Sequence, residues 1–93
     1  MSLLEAYLDE IRKRCNAATK GPWISYLERR DNLSGESFIA RGVNRSEDDL
    51  YLHGGTDADI EFIAHARQDI PILMDEIERL NKELEYREMN EKE

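Results

Sequence analysis

An α+β fold is what this chain predicts, and three observations carry the prediction. Residues 1–19 and 56–90 place apolar side chains at helical spacing. Residues 23–54 change to aromatic and β-branched runs broken by turn chemistry. The length, 93 residues, allows one domain with a thin core. The expected architecture is therefore a single domain over residues 1–93. It has an N-terminal helix, a three-stranded antiparallel meander, and a C-terminal helix broken near Pro71 with a long acidic stem.

The first helix is strongest over residues 2–18. Ser2 is placed to cap it, with Glu5 as the reciprocal partner of a capping box. Leu4, Leu8, Ile11 and Cys15 recur at intervals of four, three and four, and Leu3 and Tyr7 widen the stripe. Gly21 and Pro22 end it.

The meander is expected from "WISYLER" (23–29), "SFIARGV" (37–43) and "DLYLHG" (49–54). Asp31, Asn32 and Gly35 supply the first turn and "NRSEDD" separates the second pair. A three-stranded sheet with one apolar face needs a cover, and only helices are present to provide it.

The second helical region follows Gly54 and Gly55. Thr56 and Asp59 form a capping-box pattern, and Phe62, Ile63 and Ala66 supply an inward face. Pro71 lacks an N–H and disfavours helix at Ile70, so a break is expected near Asp69, with Asp69 capping a new helix. Beyond it Ile70, Leu73, Ile77, Leu80 and Leu84 are spaced three, four, three and four, a heptad seam over two repeats. Such a seam packs on the first helix, on the sheet, or on another subunit. A homo-oligomer, dimer or higher, is expected through these five residues.

Composition excludes several function classes. The formal net charge of −8 argues against a general nucleic-acid binder, which needs a cationic surface. The charge is uneven, however. Residues 10–45 hold eight Lys/Arg against four acids, and residues 55–93 hold five against twelve. A locally cationic middle suits a compact anion. Cys15 is the only cysteine, so no intramolecular disulfide or cysteine zinc site forms. No apolar run approaches the ~20 residues of a membrane span, and no signal-peptide pattern opens the chain, so a cytoplasmic protein is expected.

Catalytic chemistry finds little footing. His53 and His65 lack the i, i+4 pairing of a helical zinc motif. Asp57 and Glu61 share a helical face, yet acids in a first turn complement the helix dipole, and no metal is assigned. Ser25, Ser34, Ser37 and Ser46 form no motif with either histidine. "HGGT" lacks a phosphate-loop fingerprint; it lies directly before a helix start, where free N–H groups can hold an anion, but two glycines before a cap are also ordinary loop punctuation. The expectation is a protein without catalytic residues or cofactor. Two segments remain pointed. "FIAHAR" (62–67) sets small alanines beside His65 and Arg67. "ATKGPW" (18–23) sets Lys20 beside the only tryptophan.

These two segments, in this order, resemble short phage and prophage proteins, including the Ead-like early-region proteins. There, an alanine-threonine-x-glycine-proline-tryptophan stretch precedes an alanine-x-phenylalanine-isoleucine-alanine block, then alanine-arginine, a proline and a leucine-rich helix. The matching positions are Ala18, Thr19, Gly21, Pro22, Trp23, Phe62, Ile63, Ala64, Ala66, Arg67 and Pro71, in two segments that together cover about a third of the chain; Lys20 departs from the usual proline. The resemblance implies a phage origin and a bacterial host cytoplasm, with no catalytic set to carry over. Thr19, Trp23 and Arg67 are the matched residues whose chemistry exceeds packing.

The functional expectation is non-enzymatic sequestration of a small anionic, nucleotide-like signalling molecule by an oligomer, in the manner of an anti-defence sponge. Lys20, Arg41, Arg45 and Arg67 would hold phosphates, Trp23 would stack on a base, and His65 would hydrogen-bond. The alternative is a protein-interaction module that docks on a host or phage protein through its C-terminal helix. A pocket with converging cations favours the first; an exposed apolar or acidic face favours the second.

Overall fold

The computed structural model describes residues 3–31 and 35–91; the expected cap Ser2 and the turn residue Asn32 lie outside them. Helix α1 spans Leu3–Ala17, β1 Trp23–Tyr26, a single helical turn α2 Glu28–Asp31, β2 Phe38–Arg41, β3 Glu47–Leu50 and α3 Asp57–Glu91. The architecture is α+β, as the periodicities predict. The sheet is antiparallel in the order β1-β2-β3.

The core lies between one face of the sheet and the first half of α3. Leu27, Ile39, Ile60 and Ala64 are buried there, and Trp23, Leu50, Leu52 and Ile63 pack around them. Register explains the sheet's share: Ser25 and Leu50 both pair with Ile39, so all three point to the helix. Ala64 is 1% exposed, its small side chain letting α3 approach β2 and β1 closely.

Four local expectations need correction. First, β1 stops at Tyr26 rather than residue 29. Asp31 accepts from the Leu27 N–H at 2.8 Å while its own N–H bonds the Leu27 carbonyl, and that closed turn takes the chain out of the strand. Second, β3 is Glu47–Leu50 rather than 49–54. The β2–β3 connection is a tight 3₁₀ turn, Val43–Arg45, that pairs Arg41 with Glu47. Gly42 enters that turn at φ 84°, and a Cβ there would collide with Ser46. Residues 51–56 then form the loop into α3.

Third, α3 is not broken. It runs through Pro71 without interruption, and Asp69 lies inside it rather than at a cap. Proline costs one ladder bond and about 3 kcal/mol in a helix interior. Anchoring on both sides offsets this: Ile60 and Ala64 are buried before it and Met74 after it. Arg12 of α1 also donates to Asp75 at 3.0 Å and Glu78 at 2.9 Å. Fourth, the inward arc of α3 is Ile60, Ala64 and Met74, and Phe62, expected inside, is 75% exposed. The capping box is present as read: Thr56 N–H donates to Asp59 at 3.0 Å, and Asp59 N–H to Thr56 Oγ1 at 3.1 Å.

The molecule measures 65 × 26 × 23 Å. Its accessible surface is 7368 Å², whereas a compact monomer of this mass exposes about 5,600 Å².

Candidate functional site

The segments "ATKGPW" and "FIAHAR" meet. The loop after α1 lies against α3, and Thr19 is the hub of the junction. Its carbonyl accepts from Trp23 Nε1 at 3.0 Å and from Arg67 Nε at 2.9 Å, and its Oγ1 accepts from an Arg41 guanidinium nitrogen at 2.9 Å. The Arg41 guanidinium lies 6.0 Å from the centre of the Trp23 ring and also donates to the Asp48 carbonyl at 2.9 Å. The peptide bond between Gly21 and Pro22 is cis.

Gln68 completes the junction, and the sequence reading missed it. Its side-chain amide accepts from Trp23 N–H at 2.8 Å and donates to Trp23 C=O at 3.1 Å, acting as a strand partner for the edge of β1. It also donates to Ala64 C=O at 3.0 Å. A signal existed: Gln68 follows buried Ala64 by four residues, so a polar side chain stands on the inward arc and must find partners there.

Beside this junction an open cleft of about 430 Å³ runs between α1 and α3. Trp23 and Ala18 come from the first matched segment, and Ile63, Ala66 and Arg67 from the second. Tyr7, Ile11, Arg14, Cys15 and Ile70 complete the lining. Arg67 is held by its Nε, and among the described residues its two terminal nitrogens have no partner. Arg14 likewise has no ion-pair partner among the described residues. Tyr7 and Arg14 are further residues that sequence reasoning did not assign to the site: Tyr7 was visible only as part of the α1 apolar stripe, and Arg14 only as one of the eight cations of residues 10–45.

The structure brings Trp23, Arg41 and Arg67 together around Thr19. Lys20 stands next to them, exposed, at a second depression with Asn16 and Ser46. Arg45 is elsewhere. It lies on the sheet's opposite face, 5.1 Å from the Phe38 ring and 5.7 Å from Tyr26, and pairs with Asp49 at 2.7 Å. Tyr26 and Phe38 stack beneath it at 5.2 Å, and Tyr51 meets Phe38 at a tilt, 5.7 Å away. Asn44 and Arg45 both hold positive φ, 56° and 58°, to set that arginine over the rings.

His65 is also apart from the cleft. It is exposed and lies 3.5 Å from Glu61. Glu61 belongs to a polar clamp: it accepts from Ser25 Oγ and, at 2.9 Å, from Arg30, which also donates to Ser25 C=O at 2.6 Å. The Ser25 hydroxyl, then Arg30, hold the Glu61 carboxyl below its ordinary range. Arg30 and the Leu27 N–H do the same for Asp31. This clamp ties α3 to β1 and α2, and Ser25 is buried in it. Among the described residues no group of three or more His, Cys, Asp or Glu side chains is placed to hold a metal ion.

No helix among the described residues is long and apolar enough to cross a membrane. No protein-family model matches the chain, nor does any curated protein or solved structure.

Proposed function

We propose that this protein binds, without transforming it, a small molecule that combines a flat ring with an anionic group, of the nucleotide type, in the cleft between α1 and α3. The observation that carries the reading is the convergence of both pointed segments on one cleft. Its volume suits a small ligand. Tyr7 and Trp23 offer aromatic faces, small Ala66 leaves room for a ring, and Arg67 presents two unpaired donors from a fixed position. Arg14 adds a second cation at the same cleft. Within this reading Arg41 positions Trp23 and Thr19 rather than touching ligand, while Arg45 and His65 serve other parts of the fold.

The resemblance to phage early-region proteins supplies the biological setting. A phage-made binder of a nucleotide signal acts by sequestration, which removes the signal without cleaving it. A second reading is favoured by a separate observation: Leu84, Tyr86 and Met89 on the α3 stem are all more than half exposed. That surface suits docking onto another protein.

Native mass spectrometry with a panel of linear and cyclic nucleotides decides between them. A discrete nucleotide mass, released unchanged on denaturation, is expected. Arg67→Ala and Arg14→Ala should each weaken uptake about tenfold or more, since charge-assisted hydrogen bonds contribute about 1.5–3 kcal/mol. The Arg14 side chain is exposed and makes no hydrogen bond or ion pair among the described residues, so its variant is expected to keep the fold. A protein empty of every nucleotide, with both variants unchanged, turns the function to protein docking.

A further inference from the structure

The apolar seam of α3 does not do what a seam must do inside one chain. Leu73, Leu80 and Leu84 are 60%, 49% and 56% exposed, while the buried residue is Met74, one position off the stripe. The stripe also extends further back than the two heptads visible in the sequence. Ile63, Ala66, Ile70, Leu73, Ile77, Leu80 and Leu84 continue the alternation of three and four without a break, now on one uninterrupted helix. Ile63, Ala66 and Ile70 of that stripe line the cleft, so cleft and seam are one surface. Helix α1, which forms the other wall, has no fully buried residue, and its Leu4 and Tyr7 are 58% and 61% exposed.

We infer that a second copy of this chain covers this surface, with the two α3 helices antiparallel about a two-fold axis near Leu73. Area and charge both argue for it. The chain exposes 7368 Å², on the order of 1,800 Å² more than a compact monomer of its mass, and a stable pair buries about 800 Å² per partner. The long apolar stripe is contiguous, and monomers rarely leave such patches uncovered.

Charge sets the direction. The stem beyond Leu80 carries Glu83, Glu85, Glu88 and Glu91 against Lys82 and Arg87, a net negative segment, while α1 ends in Lys13, Arg14 and, past it, Lys20. Antiparallel pairing lays the acidic stem of one copy along the basic end of the other. Parallel pairing sets two acidic stems side by side. The antiparallel register pairs Leu84 with Ile63 and Leu80 with Ala66 of the other copy, where the small alanine admits a leucine. Each stem thus closes the open side of its partner's cleft. That last step rests on the ligand reading above; the dimer itself does not.

Sedimentation velocity and engineered cross-linking test the two parts separately, in a Cys15→Ser background. The parent protein is expected at twice 10.9 kDa, and Leu80→Asp at half that mass with unchanged helix content by circular dichroism. Leu73→Cys, at the axis, is expected to form a disulfide-linked dimer on mild oxidation, whereas Leu84→Cys is not. A monomeric parent chain overturns the inference, as does self-cross-linking at Leu84, which requires the parallel arrangement. A dimer with the expected cross-links that takes up no nucleotide upholds the inference and defeats the ligand reading alone.

Discussion

The two halves of this molecule treat their polar and apolar groups differently. At the junction of β1, the "ATKGPW" loop and the start of α3, the chain satisfies itself. Thr19, Trp23, Arg67 and Gln68 exchange hydrogen bonds at 2.8–3.1 Å, and Ile39, Ile60 and Ala64 are at most 3% exposed. Along α1 and the second half of α3 the chain leaves its apolar stripe in water and holds its helices by surface ion pairs. Such pairs contribute at most about 1 kcal/mol each. The lesson is that periodicity marks a face to be covered without saying by what. The first half finds its cover within the chain; the second leaves Leu73, Leu80 and Leu84 exposed.

Substitutions sharpen that contrast, beginning with the strongest. Ile39→Ala opens a cavity at the centre of the sheet and should cost about 3 kcal/mol in chemical denaturation. Leu73→Ser on the stripe should cost nothing comparable in the dissociated chain. Equal losses at both positions would break the contrast. Gln68→Ala strands the N–H and C=O of Trp23 in a half-buried place and should cost about 1–3 kcal/mol, with faster amide exchange at Trp23.

Thr56→Ala removes one arm of the cap and should cost about 1 kcal/mol. Acid should act mostly on the self-satisfied half, which holds three carboxyls with lowered pKa values, against one in the stem, Glu76 beside Arg79. Asp31, Asp59 and Glu61 have pKa values lowered by Arg30, by the Thr56 N–H and by the Ser25 hydroxyl respectively. The unfolded chain therefore binds protons first, and stability present at neutral pH falls as the pH drops below about 4. Ser25→Ala should flatten that acid limb. Smallest of all, Arg79→Ala breaks exposed pairs with Glu76 and Glu83 and should change stability by less than about 0.5 kcal/mol.

Residue by residue, legibility followed locality. The capping box at Thr56 and Asp59 was readable because it involves four consecutive positions and no distant partner. The two helices and three strands were readable from side-chain period. Gln68 was not singled out, since its partners are 45 residues away at Trp23, although its spacing from Ala64 carried a hint. Arg45 was grouped with the other cations because sequence shows charge but not which sheet face a turn delivers it to.

By itself, the sequence determined the α+β class, the order of the main helices and strands, the Thr56–Asp59 cap and the existence of an apolar stripe on the last helix. Each depends on neighbours within a turn or two, where backbone sterics and hydrogen bonding decide. The tertiary structure alone decided that α3 passes through Pro71, that Met74 rather than the heptad stripe turns inward, and that Trp23 and Arg67 share one cleft while Arg45 and His65 stand apart. Those outcomes rest on contacts between residues far apart in the chain, which rotate a helix or lock a loop by a few kcal/mol that no local pattern records.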